Sequence, residues 1–392
     1  LRRHSRFQGS GDGEILKSEV SLQEVQHALA LEYGFENWPA LRQQIRRMEQ
    51  PAAEPAVSTN TGSERDILMR LLAENARERS SDIHFDPTEG RVRVRFRIDG
   101  VLYEKESFPE QIGQAVIREA MRIAAMDPAR DLPQDGRAIL DVGGQSLALF
   151  VNAMDGVQGV ILTIRCIDHT RGPMRLEELG FEVDQLERYR KMISQPTGLI
   201  LATGPTGCGK TTLLYATLEE LNLENRKIMS AEDPVEFVLN GVSQVQIHPD
   251  KGLDFPRILR NFLRQDPDVI MAAEIRNRET AEVLVQAALT GHMVFSTLHA
   301  DDSPRALTRL LDIGVEPFLL RDTVRGVVAP RLLRRVCPAC REEYRPSVQE
   351  WELLGVPEER RGIPLARGRG CDQCHKTGSR GRTCAMSLLA IG

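Results

Sequence analysis

Residues 203–212 read TGPTGCGKTT, with glycine at three of the six positions from 204 to 209. No strand or helix tolerates that density, so the segment is a turn held open for a purpose. The spacing Gly204-x4-Gly209-Lys210-Thr211 fits G-x-x-x-x-G-K-[ST], which requires an apolar strand before it and a helix after it. GLILAT and TTLLYATLEEL supply both. A loop of this kind turns backbone N–H groups inward at a helix N-terminus and so binds phosphate. The candidate nucleotide-binding residues are Gly204, Pro205, Thr206, Gly207, Cys208, Gly209, Lys210, Thr211 and Thr212. Lys210 is expected on the β/γ phosphates and Thr211 on Mg²⁺, while Cys208 fills a variable position.

The loop also constrains its surroundings. GLILATGP, KIMSAEDP, DVIMAAEI and HMVFSTLH are short apolar runs separated by helical stretches. That alternation predicts an α/β domain over 171–392, a parallel sheet covered on both faces with ligands at the strands' carboxyl ends. Those four ends are expected side by side. They carry Glu232 with Asp233 and Glu236, then Glu274, then His299, with His292 at the start of the last run. A carboxylate there can orient an attacking water or hold a metal shell.

Upstream, 64–170 opens on a helical stretch and then turns to period two. In RVRVRFRI, Val92, Val94, Phe96 and Ile98 alternate with Arg91, Arg93, Arg95 and Arg97, and Asp99-Gly100 is a hairpin turn. The block reads as a smaller α+β domain. Residues 21–49 read as two short helices, making 1–50 a helical hairpin, and the Pro-, Ser- and Thr-containing segment 51–63 reads as a linker.

Net charge is −5 over 392 residues, with acidic and basic groups interspersed, so no nucleic-acid partner is expected. No apolar run approaches the roughly 18 residues of a membrane span and no signal peptide opens the chain, so a cytoplasmic location is expected. In a reducing compartment, the pairs Cys337-x2-Cys340 and Cys371-x2-Cys374 predict a structural Zn²⁺ site without an open position.

GPTGCGKTT, AEDPVEF, LRQDPDVIMAAEIRNRETA, LTGHMVFSTLHADD and the cysteine pairs, in that order, resemble the motor ATPases of type II secretion and type IV pilus assembly, the GspE/PilB family. SSDIHFDP and RVRFRIDGVL extend the resemblance upstream. It implies a RecA-like ATPase domain in a hexameric ring, with ATP, Mg²⁺ and Zn²⁺ bound and an inner-membrane platform protein as partner. It further implies that Lys210 and Thr211 form the Walker A pair and that Glu232 activates water. Glu274 would be the Walker B acid on Mg²⁺, and His292 and His299 the His box. Arg95, Arg97 and Arg137 would reach the nucleotide phosphates from the α+β domain. The tetracysteine arm points to assembly rather than retraction. The chain departs from the family's pattern at Phe150, where an arginine is expected, at Val160 and Asn277, each in place of an acid, and at Pro330 in place of glutamine. These leave open slow turnover, a nucleotide-binding structural subunit of a ring or, on the nucleotide core alone, a DNA-translocating motor.

Overall fold

The computed structural model describes residues 62–130 and 133–391. The expected hairpin and the linker up to residue 61 lie outside the described residues, four isolated positions apart.

The first half is built on one-sided amphipathicity. Helix α1 (Glu64–Glu78) starts on a capping box in which Ser63 and Asp66 satisfy each other's backbone N–H groups. Strands β1 (Asp82–Thr88), β2 (Arg91–Ile98) and β3 (Val101–Pro109) follow, then α2 (Glu110–Ile123), β4 (Gln134–Val142), β5 (Gln145–Gly156) and β6 (Gly159–Asp168). They form an antiparallel sheet in the order β3-β2-β1-β6-β5-β4. Val92, Val94, Phe96 and Ile98 bury against α1 and α2, so the arginines of β2 take the opposite face, as period-two alternation demands. Asp99 and Gly100 close the β2–β3 hairpin, both with positive φ (49° and 85°).

After the short turns His169–Arg171 and Leu176–Leu179 the chain enters a second layer. Its elements are α3 (Val183–Ile193), β7 (Gly198–Thr203), α4 (Lys210–Leu221), β8 (Ile228–Glu232), β9 (Val242–Gln246), α5 (Phe255–Phe262) and β10 (Val269–Ala272). Then come α6 (Arg278–Leu289), β11 (Met293–Leu298), α7 (Ser303–Ile313), α8 (Pro317–Thr323) and β12 (Val324–Val336). The sheet order is β15-β12-β7-β11-β10-β8-β9, with β15 (Ser379–Ala390), the last strand of the chain, alone antiparallel. Strands β7, β8, β10 and β11 are buried at every position, which is why their sequences are continuous apolar runs. One face packs on α5 and α6, the other on α3 and α4. The result is a mixed α/β fold with a parallel-rich sheet.

Pro330 stands inside β12, where a proline would normally break a ladder. The ladder of β12 with β7 ends at Val328↔Ala202, so the missing N–H falls beyond it and only β15 pairs with that stretch. Between β12 and β15 the chain makes a small arm of β13 (Arg341–Tyr344), α9 (Val348–Leu353) and β14 (Leu365–Gly368), with Trp351 as its buried anchor. Among the described residues no helix is long and apolar enough to cross a membrane.

Candidate active site

The loop after β7 turns on Gly204, Gly207 and Gly209, with φ of 145°, 74° and 102°. At Gly204 the need for glycine is doubled, since a Cβ would lie 2.4 Å from Arg331 Nη1 and 2.6 Å from Cys208 Sγ. Lys210 opens α4, is buried, and donates from Nζ to the carbonyls of Gly204 (2.8 Å) and Pro205 (2.9 Å). Burial lowers its pKa, while Cys208 and Glu274 pull the other way and Arg331 reinforces the lowering. Thr211 is half-buried on the first helical turn, whereas Pro205, Thr206, Gly207 and Thr212 are exposed. Thr203 Oγ1 donates to Leu298 O and Ala300 O at 3.0 Å each, tying the end of β7 to the end of β11.

Because β7, β11, β10 and β8 are parallel neighbours, their carboxyl ends line up. Glu274, two residues past β10, accepts from Arg276 and lies 3.5 Å from His299 Nε2. Arg276 also reaches Asp233 Oδ2 at 3.2 Å, so two strand ends share one guanidinium. Glu274, His299, Asp233 and Arg276 therefore form one polar cluster, and the Glu274 charge acts on Lys210. Gly204, Pro205, His299 and Arg305 line a cavity of about 470 Å³ beside it.

Two expected members stand elsewhere. Glu232 is 1% exposed, and both its oxygens are taken. Tyr215 donates to Oε2, and Ser230 (2.6 Å) and Gln244 (2.9 Å) donate to Oε1. Glu232 is thus enclosed in this state, with one donor on Oε2 and two on Oε1. His292 sits at the amino end of β11, its ring against Ala287 O (Nδ1···O 2.9 Å). The six residues of β11 separate it from His299, on the order of 20 Å at ~3.3 Å per residue.

The arginine expectation also divides. Arg95 pairs with Asp86 at 2.8 Å, and Arg97 with Gly100 O at 3.1 Å, within the antiparallel sheet. Neither lines the cavity of about 880 Å³ between the sheets, whose walls include Arg137, Phe150 and Arg165 on one side and Asp233 and Glu236 on the other. Strand order decides this, since β2 lies on the far side of β1 from β6, β5 and β4. Arg165 is a site residue that sequence reasoning missed, as is Arg331, whose guanidinium spans from Gly204 to Asp301 O. Burial pushes the Glu236 carboxyl up, with Arg165 opposing. Arg137 donates to Gln246 at 2.5 Å and lies 4.7 Å from the Phe150 ring centroid. Phe150 faces Arg137 on one neighbouring strand and Arg165 on the other. Phe150→Arg thus inserts a third cation between two. We expect it to cost about 1 kcal/mol of stability without nucleotide, through lost cation–π attraction and like-charge contact, and to enlarge the nucleotide-induced rise in Tm. Thermal unfolding with and without ATP checks both signs.

Asn277 is the N-cap of α6, accepting from Thr280 N–H at 2.9 Å, so it retains the capping that an aspartate would give. Val160 is partly buried against the core of the antiparallel sheet.

The family profile described as "Type II/IV secretion system protein" matches residues 58–392. The chain belongs to this secretion-protein family. Its relatives include the type II secretion system protein E of Pseudomonas aeruginosa, 44% identical over 326 residues, 83% of this chain and 65% of that one. The type IV pilus assembly ATPase PilB of Myxococcus xanthus is 43% identical over 81% of this chain and 57% of its own. The chain thus spans somewhat less than two thirds of these family members' lengths. Among solved structures, the Legionella pneumophila ATPase DotB shares the fold at TM-score 0.61, with 22% identity over 86% of this chain and 84% of that one. The pilus retraction motor PilT with bound ADP does so at 0.55, with 23% identity over 83% of each.

The cysteine pairs meet in the arm. Sγ–Sγ separations are 3.9 Å (Cys337–Cys371), 3.8 Å (Cys340–Cys374) and 3.7 Å (Cys371–Cys374). Four sulfurs tetrahedral about a zinc at ~2.3 Å stand roughly 3.8 Å apart, so the donor set fits that ion. Backbone N–H groups of Cys371 (3.2 Å) and Gly378 (3.3 Å) donate to Cys374 Sγ, and its pKa is lowered to about 6. Burial raises that of Cys340 to about 11. His375, although adjacent in sequence, lies tilted against Tyr103 with ring centroids 4.9 Å apart. The arm is docked there on the antiparallel sheet, where Gly381 N–H also donates to Asp99 at 2.6 Å.

Proposed function

We propose that this chain is a motor ATPase that hydrolyses ATP at the loop 204–212 and uses the reaction to assemble pilin-like subunits in type II secretion or type IV pilus biogenesis. The observation that carries the reading is the convergence of Lys210, Glu274 and His299 at adjacent strand ends beside a loop held open by positive-φ glycines. Family membership and the fold shared with secretion and pilus motors support it.

The residues divide the work as follows. Backbone N–H groups of 204–212 cradle the phosphates, and Lys210 exchanges its two loop carbonyls for β/γ oxygens. Glu274 orients the attacking water, since Glu232 is enclosed, and His299 beside it holds the carboxylate's direction. Thr211 and Glu274 are the residues to hold Mg²⁺, which when bound neutralises charge on the phosphate oxygens. Arg137 and Arg165 face the nucleotide side from the antiparallel sheet. Arg95 and Arg97 would reach it only after leaving their present partners. His292, remote from the loop, is free to act at a neighbouring subunit of a ring. Zinc at the four cysteines is structural and folds the arm. The ring is a hexamer in the cytoplasm, held at the inner membrane through a platform protein.

Phe150, in place of a cation, favours a second reading: a ring subunit that binds nucleotide and turns it over slowly. Steady-state hydrolysis of Mg-ATP by the zinc-loaded protein separates the two. A rate above that of Glu274→Gln supports the motor, and a rate no different from it overturns the motor in favour of the binding subunit.

A further inference from the structure

One buried hydroxyl at the back of the loop is not used by the nucleotide reading. Tyr215 lies on the second turn of α4, 2% exposed, and its oxygen makes three hydrogen bonds. It donates to Glu232 Oε2 and accepts the N–H groups of Glu236 (3.1 Å) and Phe237 (3.3 Å). Gln244 completes the seat, donating to Glu232 and to Phe237 O (2.8 Å) and accepting Leu239 N–H (2.7 Å). The segment after β8 is thereby hung on the helix that begins at Lys210.

The same segment is gripped from its other side. The Phe237 ring meets Tyr215 edge-on at 5.8 Å and lies against the His169 imidazole at 5.0 Å. His169 Nε2 donates to Glu236 O at 2.7 Å; the acceptor is a carbonyl, so that nitrogen carries the proton. His169 is the first residue after β6, in the stretch of chain that crosses from the antiparallel sheet to the parallel one. Contacts therefore run without a gap from α4 through Tyr215 and residues 236–237 to the crossing.

We propose that Tyr215 and His169 are positioning residues that carry the state of the phosphate loop to the crossing segment, and so set the angle between the two sheets. The proposal rests on the loop binding nucleotide. Physically, α4 moves as a rigid body when its first turn takes up phosphates. Its second turn then carries the hydroxyl that holds residues 236–237, and His169 follows because its donor is bonded to the same backbone. A phenylalanine at 215 fills the same core volume but leaves a buried carboxylate oxygen and two N–H groups without that partner.

Hydrogen exchange of residues 166–175, measured with and without Mg²⁺ and a non-hydrolysable ATP analogue, tests this alongside titration of the same analogue. In the wild-type protein the analogue is expected to slow exchange there. In Tyr215→Phe and His169→Leu the analogue still binds but the slowing is lost, and kcat falls about tenfold while KM holds, the size of a typical coupling energy. His169→Gln, which keeps an amide donor, retains the slowing. If Tyr215→Phe does not fold, the two substitutions at His169, half-buried at the crossing, carry the test alone. Wild-type slowing in the folded Phe or Leu variants overturns the relay. So does a wild-type protein that binds the analogue with no change at 166–175. A wild-type protein that binds no analogue overturns the nucleotide reading beneath it.

Discussion

Glu274→Gln will bind ATP and fail to hydrolyse it. The side chain lies just past β10 against Arg276 and His299, and its charge acts on Lys210 of the loop. Glutamine has its size and shape but cannot take a proton or hold a water by charge, so kcat should fall by roughly 10²- to 10⁴-fold with affinity largely kept. The informative comparison is Glu232→Gln. There the amide –NH₂ would face a shell of donors from Tyr215, Ser230 and Gln244. The expected loss is one of stability, about 1–3 kcal/mol, rather than of the chemical step. Single-turnover phosphate release, nucleotide titration and thermal unfolding, run on both variants, distinguish them. A stably folded Glu232→Gln protein as inactive as Glu274→Gln would return the water-orienting role to Glu232.

With the proposed zinc at the four cysteines, its removal is expected to unfold the arm and detach it from the antiparallel sheet. Between Cys337 and Gly378 the polypeptide has a two-stranded sheet, a helix of six residues and Trp351 as its largest buried side chain, too little apolar surface to hold itself together. Structural zinc contributes on the order of 10 kcal/mol, which dominates such a fold. The docking of His375 on Tyr103 depends on the cysteine turn, because His375 follows Cys374 directly in a left-handed conformation (φ 49°). We expect one zinc per chain by elemental analysis. Chelation, or Cys371→Ala, should abolish protection of residues 337–378 from hydrogen exchange and expose the β2–β3 hairpin. Metal-free protein with a fully protected arm would overturn the proposed structural zinc.

Several features were legible in the sequence because their causes are local. The glycine spacing specifies a phosphate loop whatever surrounds it, and RVRVRFRI specifies a strand with one buried face because side chains alternate every residue. The cysteine pairs specify their partners through the reach of two short turns. The arginines show where local reading stops. Alternation says that Arg95 and Arg97 share a face with each other, yet what that face looks onto follows from the order β3-β2-β1-β6-β5-β4, a product of long-range pairing. Arg165, far along the chain, is brought to the cavity by the same order. Pro330 reads as a strand breaker until the point where the β7 ladder ends is known.

The sequence by itself therefore determined the ligand class and the alternation of layers, since both rest on backbone freedom at glycine and on the burial of apolar runs. Tertiary structure alone decided what surrounds each carboxylate. Glu232 and Glu274 both follow short apolar runs, and they differ in what packs around them: three inward donors enclose the buried first, while the second, at the edge of the cluster, is held by Arg276 and His299. A charge serves chemistry only where its neighbours leave a face uncovered, and the neighbours come from distant parts of the chain.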